Sequence, residues 1–295
     1  MAVNAESSLF LKQVQSHIHE RLSDFLCEQG RSAPRLREAM AYSVLNGGKR
    51  IRPALLYATC RAGAGNMAMA DAAAVAVELV HCYSLVHDDL PCMDDDDLRR
   101  GLPTCHKRYS EDLALLAGDT LQALAFSSLS MAPAPAPICL HMLRTLADAA
   151  RDMAIGQTLD LAAEGSIIDL AQLENIHKLK TGALIRASLL LGALSAGWTD
   201  SSTLAALEHF GDRLGLAFQV DDDILDIIGN TDVLGKAVGA DQRLGKATYP
   251  QLIGLEAALE LSAQLHKEAR AALAELPGDT RYLTELTDYL ISRDR

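Results

Sequence analysis

The sequence predicts an all-α protein. Aromatic residues make up only 4% of its 295 residues while alanine and leucine are abundant, a composition that favours helices over strands. Apolar residues recur at helical spacing along most of the chain, as they do from Phe10 to Leu26. We find no strand pattern and no repeat with the period of a solenoid. We therefore expect one helical domain that spans residues 1–295.

Proline, glycine and capping residues set the expected helix ends. Gly30 ends the first helix, Pro34 begins the second, and Asp200 caps the long helix that reaches Ile228. The proline-rich break at 133–137 is too short for a domain linker. The first two expected helices cover residues 6–29 and 34–45. A third runs from Pro53 to the loop at 63–66, and a fourth runs from that loop to His87. The later ones cover residues 111–131, 138–163, 169–196 and 200–228, and two more follow at the C-terminal end.

Charge and cysteine usage exclude several classes of protein. The 27 basic and 39 acidic residues give a net charge of −12, which argues against nonspecific binding to nucleic acid or anionic membranes. The six cysteines form no CxxC pair, so we expect free thiols in a reducing cytosol. We identify no signal peptide, and no apolar run reaches the roughly 18 residues of a membrane span. The segment that comes nearest, 183–198, is interrupted by Arg186.

The densest cluster of charge follows an apolar helical run. Six carboxylates lie between Asp88 and Asp97, and two arginines follow them. Burying such charge without partners would be strongly unfavourable, and carboxylate oxygens are the ligands that Mg²⁺ prefers. Arginines beside the metal ligands indicate phosphate chemistry. A solvated acidic turn is the alternative, but it fits less well because Asp88 lies nearly two whole helical turns after His81.

A second acidic cluster lies on the helix that ends near Ile228. Gln219, Asp222, Asp223 and Asp226 have the spacing i, i+3, i+4 and i+7, so we expect them to share one face. The charged face of a surface helix usually mixes both signs. This face carries only acids, which again indicates a metal site.

Three basic segments accompany the acidic clusters. The first, 47–53, begins with two glycines and resembles an anion site, although it lacks the pattern of a Walker loop. A glycine turn with solvated lysines is the commoner interpretation of such a segment. The second, 178–182, lies within a predicted helix, where a surface lysine pair is the simpler interpretation. The third, 229–249, is rich in glycine and could close over an anion. The basic side chains that matter are Lys49, Arg50 and Arg52 in the first, Lys178 and Lys180 in the second, and Lys236 and Lys246 in the third.

The order of these motifs resembles that of the trans-isoprenyl diphosphate synthases, and within that family the bacterial branch that makes farnesyl diphosphate. Residues 88–94 match the first aspartate motif as DDxxxxD, and residues 222–226 match the second, DDxxD. GGKRxRP precedes the first motif, and Lys-Thr, Gln and Gly-Lys surround the second. The resemblance covers nearly the whole chain. It implies a single-domain bundle of about ten core helices around a deep central cavity, usually as a homodimer.

The resemblance also implies a role for each motif. Three Mg²⁺ ions, for which Mn²⁺ can substitute, would be bound by Asp88, Asp94, Asp222 and Asp226, with Asp89 completing the first motif. The allylic diphosphate would be bound by Arg99, Lys180 and Lys236, with Lys246 in the same loop. Isopentenyl diphosphate would be bound without metal by Lys49, Arg52, His81 and Arg100. The side chains expected to face the allylic cation are Thr181 and Gln219.

Tyr83 and Ser84 are expected to control product length. Ser84 lies four residues before Asp88, so it sits about one turn deeper on nearly the same face of the helix. Serine leaves room for a growing chain, and Tyr83 then forms the floor of the cavity. The resemblance associates an aromatic residue here with a fifteen-carbon product. An ordinary core tyrosine is the alternative interpretation.

Three other activities fit parts of the pattern. A geranylgeranyl diphosphate synthase would have the same site and a longer product. A class I terpene cyclase needs only one substrate site, so Lys49, Arg52 and His81 argue against it. A non-catalytic partner subunit should have lost aspartates that this chain retains. The loop lysines and the C-terminal Arg293 and Arg295 are expected to help exclude water from the site.

Overall fold

A computed structural model describes residues 3–228 and 246–292, and over these residues the predicted all-α fold is confirmed. Most helix ends lie within three residues of the predicted ones. The helices are α1 (Val3–Cys27), α2 (Pro34–Leu45), α3 (Ile51–Ala62), α4 (Met67–Asp88), α5 (Cys105–Arg108), α6 (Glu111–Ser130), α7 (Ala136–Ala163), α8 (Leu170–His177), α9 (Ala183–Ser195), α10 (Ser201–Ile228), α11 (Tyr249–Ile253), α12 (Leu255–Leu273) and α13 (Arg281–Ser292).

Helix α4 lies at the centre of the bundle because it is apolar on nearly all sides. The Asn66 side chain caps it by accepting hydrogen bonds from the amides of Ala68 and Met69 at 3.0 and 3.3 Å. The helix packs against α3, α6 and α9, and its many alanines let these neighbours approach closely. This packing carries α4 from the core to the charged segment at its C-terminal end.

Within residues 3–228 and 246–292, two helices, α4 and α6, are long and apolar enough to cross a membrane by length and composition alone. The sequence indicates a different segment, 183–198, as the one most similar to a membrane span. Of the most apolar window of α4, 72% is buried inside the bundle. Core packing therefore accounts for the composition of α4, and the absence of a membrane span stays a prediction.

A short hairpin follows the first acidic cluster, where the sequence shows no strand pattern. Strands β1 (Leu98–Arg99) and β2 (Leu102–Pro103) pair antiparallel. The turn residues Arg100 and Gly101 have φ angles of 55° and 78°, as a type I′ turn requires. Strands of two residues are too short to show an alternating pattern, which is why sequence reasoning missed them.

The helix predicted over 169–196 is divided into α8 and α9 by a π-helix, π1 (Lys178–Gly182). The wider turn places Lys180 and Thr181 beside α7. The backbones of α7 and π1 are in close contact at Gly156. A Cβ atom at this position would overlap the backbone nitrogen of Lys180. Such π-helical turns occur frequently at functional sites.

Helix α10 begins as the sequence predicts. Asp200 Oδ1 accepts a hydrogen bond from the amide of Thr203 at 2.8 Å. A second, smaller core forms where α10 packs against α8, α11 and α12 around Val220, Ile224 and Tyr249. This core holds the acidic end of α10 in place.

We expect Gly192→Ala to destabilise the bundle. Alanine normally favours a helix over glycine by about 1 kcal/mol. A Cβ at position 192, however, would overlap the carbonyl oxygen of Leu56 and lie 2.8 Å from Thr59 Cβ, so α9 would have to move away from α3. Overpacking of this kind costs roughly 1–3 kcal/mol, and thermal unfolding should show a lower melting temperature.

Gly182→Ala is the control for this prediction, because the nearest atom to its added Cβ lies 3.5 Å away. Its melting temperature should be unchanged or higher. A Gly192→Ala variant as stable as this control would contradict the tight contact between α3 and α9.

Candidate active site

One cavity of about 410 Å³ opens between α3, α4, α7 and π1. Its polar wall brings together residues from both of the anion sites that the sequence predicts. Its apolar wall comes largely from α4 and α7. The residues lining it include Arg52, His81, Tyr83, Ser84, Asp88, Met153, Gln157, Leu161, Lys180 and Thr181.

The first aspartate motif closes on itself where α4 ends. The helix stops at Asp88, and the chain then turns so that the Asp94 amide donates to the Asp88 carbonyl oxygen at 2.9 Å. Pro91 lies within this turn and cannot continue the helix. This turn brings the two ends of the motif together. Lys246 Nζ lies 3.9 Å from Asp94 Oδ1.

Asp89, the second residue of the motif, faces inward and binds Arg99. Arg99 Nε donates to both carboxylate oxygens of Asp89, at 2.7 and 2.9 Å. Burial raises the pKa of Asp89, and the bonds from Arg99 oppose that shift. Asp89 therefore orients the guanidinium of Arg99 at the edge of the hairpin.

Asp88 carries an incompletely balanced charge in the wall of the cavity. Burial raises its pKa to about 6, Lys180 opposes the shift, and Asp94 adds to it. A divalent cation would relieve both the desolvation and the repulsion, so this donor set fits a hard metal ion. Among residues 3–228 and 246–292, no three His, Cys, Asp or Glu side chains lie close enough to form a metal site by themselves.

The second acidic cluster is divided among several neighbours. Asp223 is buried, and its Oδ2 accepts a hydrogen bond from the Tyr249 amide at 3.0 Å. Asp221 accepts from Ser262 and His266 of α12. Asp223 therefore anchors α11, a structural role that helical spacing alone does not indicate. Asp222 and Asp226 stay partly exposed.

Gln219 lies beside Thr181, as expected if both face the same reacting group. The Thr181 hydroxyl donates to Gln219 Oε1 at 3.2 Å, and Thr181 also lines the cavity. This bond connects α10 to π1. It places the helix of the second motif next to the cavity.

The predicted metal-free anion site is strongly cationic. Arg52 and His81 both line the cavity, and Arg52 Nε is buried without a hydrogen-bond partner among the described residues. The pKa of His81 lies well below its usual value, first because the ring is buried and then because Arg52 and Arg100 are near. An anion would satisfy this region. Lys49 lies at the exposed edge of the same loop.

Lys180 binds Asp160 of α7, a residue that sequence reasoning did not single out. The distance from Lys180 Nζ to Asp160 Oδ2 is 2.5 Å. Gln157, one turn earlier on α7, lines the cavity and has both amide atoms buried without a partner in the described chain. Polar residues at i and i+3 on a largely apolar helix were the signal for this pair. Lys236, Arg293 and Arg295 lie outside the described residues.

Tyr83 and Ser84 both lie in the cavity wall. The Tyr83 side chain is largely buried, and its ring meets the His87 ring edge-on with 5.9 Å between centroids. The Ser84 hydroxyl donates to the carbonyl oxygen of His81 at 2.9 Å, which turns its small side chain along the helix. Space therefore remains beside Ser84, and a bulky ring stands next to it.

Comparison with known proteins identifies the chain as a prenyltransferase. The sequence profile described as Polyprenyl synthetase matches residues 33–285, and this chain belongs to that family. It is 52% identical over 266 residues to a farnesyl diphosphate synthase of Escherichia coli, covering 88% of this chain and 89% of that one. It is 44% identical to a chloroplastic geranylgeranyl pyrophosphate synthase of Capsicum annuum, covering 88% and 72%.

Among solved structures, the chain is similar to the Helicobacter pylori geranyltransferase complexed with magnesium and isoprenyl diphosphate. The identity is 35%, the TM-score is 0.81, and 96% of each chain is covered. The fold and the family are thus the ones that the sequence motifs indicated.

We expect the stability of the metal-free protein to depend on pH through Asp88. Because its folded pKa is about 6, above the usual range, ionisation of Asp88 disfavours the folded state. The stability that the protonated carboxyl of Asp88 gives to the folded state is fully present below about pH 4. It is lost as the pH rises through 6 and Asp88 ionises. Asparagine stays neutral at every pH. In chelator, the melting temperature of Asp88→Asn should therefore rise relative to that of the unsubstituted protein as the pH is raised from about 4 to 6.

Magnesium provides the control for that measurement. Saturating Mg²⁺ should stabilise the unsubstituted protein more than Asp88→Asn, because the asparagine lacks the charge that the ion binds. A difference in melting temperature that does not vary with pH would contradict the assigned charge at Asp88.

Proposed function

We propose that this chain is a farnesyl diphosphate synthase, which joins isopentenyl diphosphate to dimethylallyl diphosphate and then to geranyl diphosphate. One observation carries the proposal: Arg52 and His81 share a single cavity with Asp88, Lys180 and Thr181. A cationic subsite beside an acidic one suits two diphosphates that are bound by different means. We propose that residues 1–295 form one catalytic domain.

The metal ligands are proposed to be the outer aspartates of both motifs. Asp88 and Asp94 would bind two Mg²⁺ ions, Asp222 and Asp226 a third, and Mn²⁺ could substitute. The raised pKa of Asp88 supports a cation at this place. When bound, these ions would supply positive charge to a departing diphosphate.

The basic side chains divide between the two substrates in this proposal. The allylic diphosphate is bound by Arg99, Lys180, Lys236 and Lys246. Isopentenyl diphosphate is bound by Lys49, Arg52, His81 and Arg100. The guanidinium groups can bind diphosphate oxygens through two parallel hydrogen bonds, which a lysine cannot do.

The reaction starts when the allylic C–O bond breaks. Diphosphate departs with the electron pair of that bond, and an allylic cation remains. Thr181, which lines the cavity, and Gln219, whose amide oxygen accepts the Thr181 hydrogen bond, are the groups proposed to stabilise that cation. The double bond of isopentenyl diphosphate forms the new C–C bond, and the departed diphosphate accepts the proton whose loss restores an alkene. Met153 and Leu161 line the cavity and keep water away from the cation.

The product is proposed to have fifteen carbons because Tyr83 blocks the cavity beside Ser84. A geranylgeranyl diphosphate synthase is the second candidate, and the similarity to the Capsicum annuum enzyme supports it. The two activities share every proposed substrate ligand. Only the depth of the cavity along α4 distinguishes them.

We also propose a cytoplasmic homodimer. The outer surfaces of α6 and α7 expose large apolar side chains that a second copy would cover. These residues are Leu115, Leu116, Leu140, Ile155 and Leu159. The free thiols are compatible with a reducing compartment.

Condensation should require Mg²⁺ or Mn²⁺. Chelator-treated protein should form no farnesyl diphosphate, and Asp222→Ala should lower kcat roughly 10²–10³-fold with little change in melting temperature. Asp97→Ala is the matched control, since this exposed carboxylate lies outside the motif and binds Lys107 at 2.8 Å. Full activity in chelator would refute the metal assignment.

Product length should follow the residues at 83 and 84. Tyr83→Ala deepens the cavity and should shift products to twenty carbons or more, whereas Ser84→Phe fills it and should stop growth at ten. Chromatography and mass spectrometry of the dephosphorylated products measure the outcome. If both variants still make fifteen-carbon products, the floor of the cavity lies elsewhere.

A further inference from the structure

Arg50 and Glu78 form a buried ion pair beneath the proposed subsite for isopentenyl diphosphate. Arg50 Nη1 lies 2.5 Å from Glu78 Oε1, and each side chain is only 2% exposed. The other terminal nitrogen of Arg50 donates to the carbonyl oxygen of Val44, also at 2.5 Å. Arg50 precedes α3, Val44 lies in α2 and Glu78 in α4. One guanidinium therefore joins three helices.

The backbone of Arg50 adopts a conformation that side chains with a Cβ disfavour. Its φ and ψ angles are 53° and 36°, in the left-handed region. Such a conformation persists only where the surroundings impose it. The two buried hydrogen-bonded contacts of the guanidinium supply that restraint. Because Lys49 and Arg52 flank Arg50 closely, the same conformation sets the directions in which both side chains leave the chain.

A second arginine holds the same loop from the other side. Arg100, in the turn of the hairpin, donates to the carbonyl oxygen of Gly47. Its guanidinium packs over Gly48, where an added Cβ would lie 2.7 Å from Arg100 Cζ. The loop between α2 and α3 is thus fixed by the hairpin at one end and by α4 at the other.

The Arg50–Glu78 pair does not touch the cavity. The residues that line it include Arg52 and His81, which lie two and three positions away from the pair along their helices. A buried ion pair contributes little net stability, because desolvation offsets most of the attraction. Its main effect here is to fix where α3 begins relative to α4, and therefore where Arg52 lies relative to His81.

We infer that Arg50 and Glu78 are positioning residues that set the affinity for isopentenyl diphosphate by orienting Arg52 and Lys49. The inference rests on the proposed function, because it requires Arg52 to bind that substrate. Neither residue of the pair takes part in the chemistry. Loss of the pair should therefore affect one substrate and not the other.

Steady-state kinetics of Glu78→Gln is the first test. This variant keeps the shape of the side chain and removes its charge. The KM for isopentenyl diphosphate should rise about tenfold or more, because Arg52 is displaced from its productive position. The kcat and the KM for geranyl diphosphate should change less than about twofold, as expected when only the binding of one substrate is weakened.

A double variant decides the question if Glu78→Gln fails to fold. Arg50→Met combined with Glu78→Leu removes both charges and leaves no unpaired buried charge. Circular dichroism should show a folded helical protein, and the KM for isopentenyl diphosphate should rise selectively. Wild-type KM values in the folded double variant would overturn the inference, as would equal increases for both substrates.

Tyr57→Phe is the matched control. Tyr57 is buried in α3, and its hydroxyl donates to Asp71 of α4 at 2.8 Å, so the variant also breaks a polar contact between α3 and α4. Its melting temperature should fall while both KM values stay unchanged. An equal rise in the KM for isopentenyl diphosphate would show general loosening of α3, and the inference would be wrong.

Arg52→Ala separates the inference from the proposed function. If Arg52→Ala leaves the KM for isopentenyl diphosphate unchanged, the assignment of the subsite is wrong. If Arg52→Ala raises this KM and the double variant does not, the subsite stands and only the positioning role is wrong.

Discussion

Desolvation of carboxylates at the end of a buried helix is the constraint on which the rest of the structure depends. Helix α4 runs through the core, so Asp88 and Asp89 leave it where water is scarce. Ionised carboxylates there need cations. Arg99 balances Asp89 at 2.7 Å, whereas Asp88 feels Lys180 and, more weakly, Arg99 through longer-range attraction. Asp88, whose negative charge is incompletely balanced, lies in the wall of the cavity.

Local signals were enough to predict the helices and the order of the motifs. Pro34, Asn66 and Asp200 act within their own helix ends, so a short window of sequence contains the whole interaction. The π-helix and the hairpin were not predictable in this way. A single extra residue in a helical turn leaves the apolar pattern almost unchanged, and strands of two residues have no pattern.

The candidate site was predictable in its acidic residues and less so in their partners. Spacing places Asp222 and Asp223 side by side, but the amide of Tyr249, 26 positions later, turns Asp223 into a structural acceptor. Arg50 and Glu78 likewise meet only because α3 and α4 pack together. Contacts between residues distant in sequence have no local signature, so each needed the folded chain to be recognised.

The contact of α7 with π1 has a consequence for the diversification of this enzyme. At Gly156 the missing side chain lets the backbone of Lys180 approach α7 directly. The position of Lys180, proposed to bind the allylic diphosphate, thus depends on the missing side chain at Gly156 of another helix. In a directed-evolution library aimed at the cavity wall, position 156 should tolerate almost no replacement, while Met153 and Leu161 on the same helix should accept other apolar side chains. Substitutions in this wall are therefore expected to be tolerated on either side of the close contact at Gly156 and not at the contact itself.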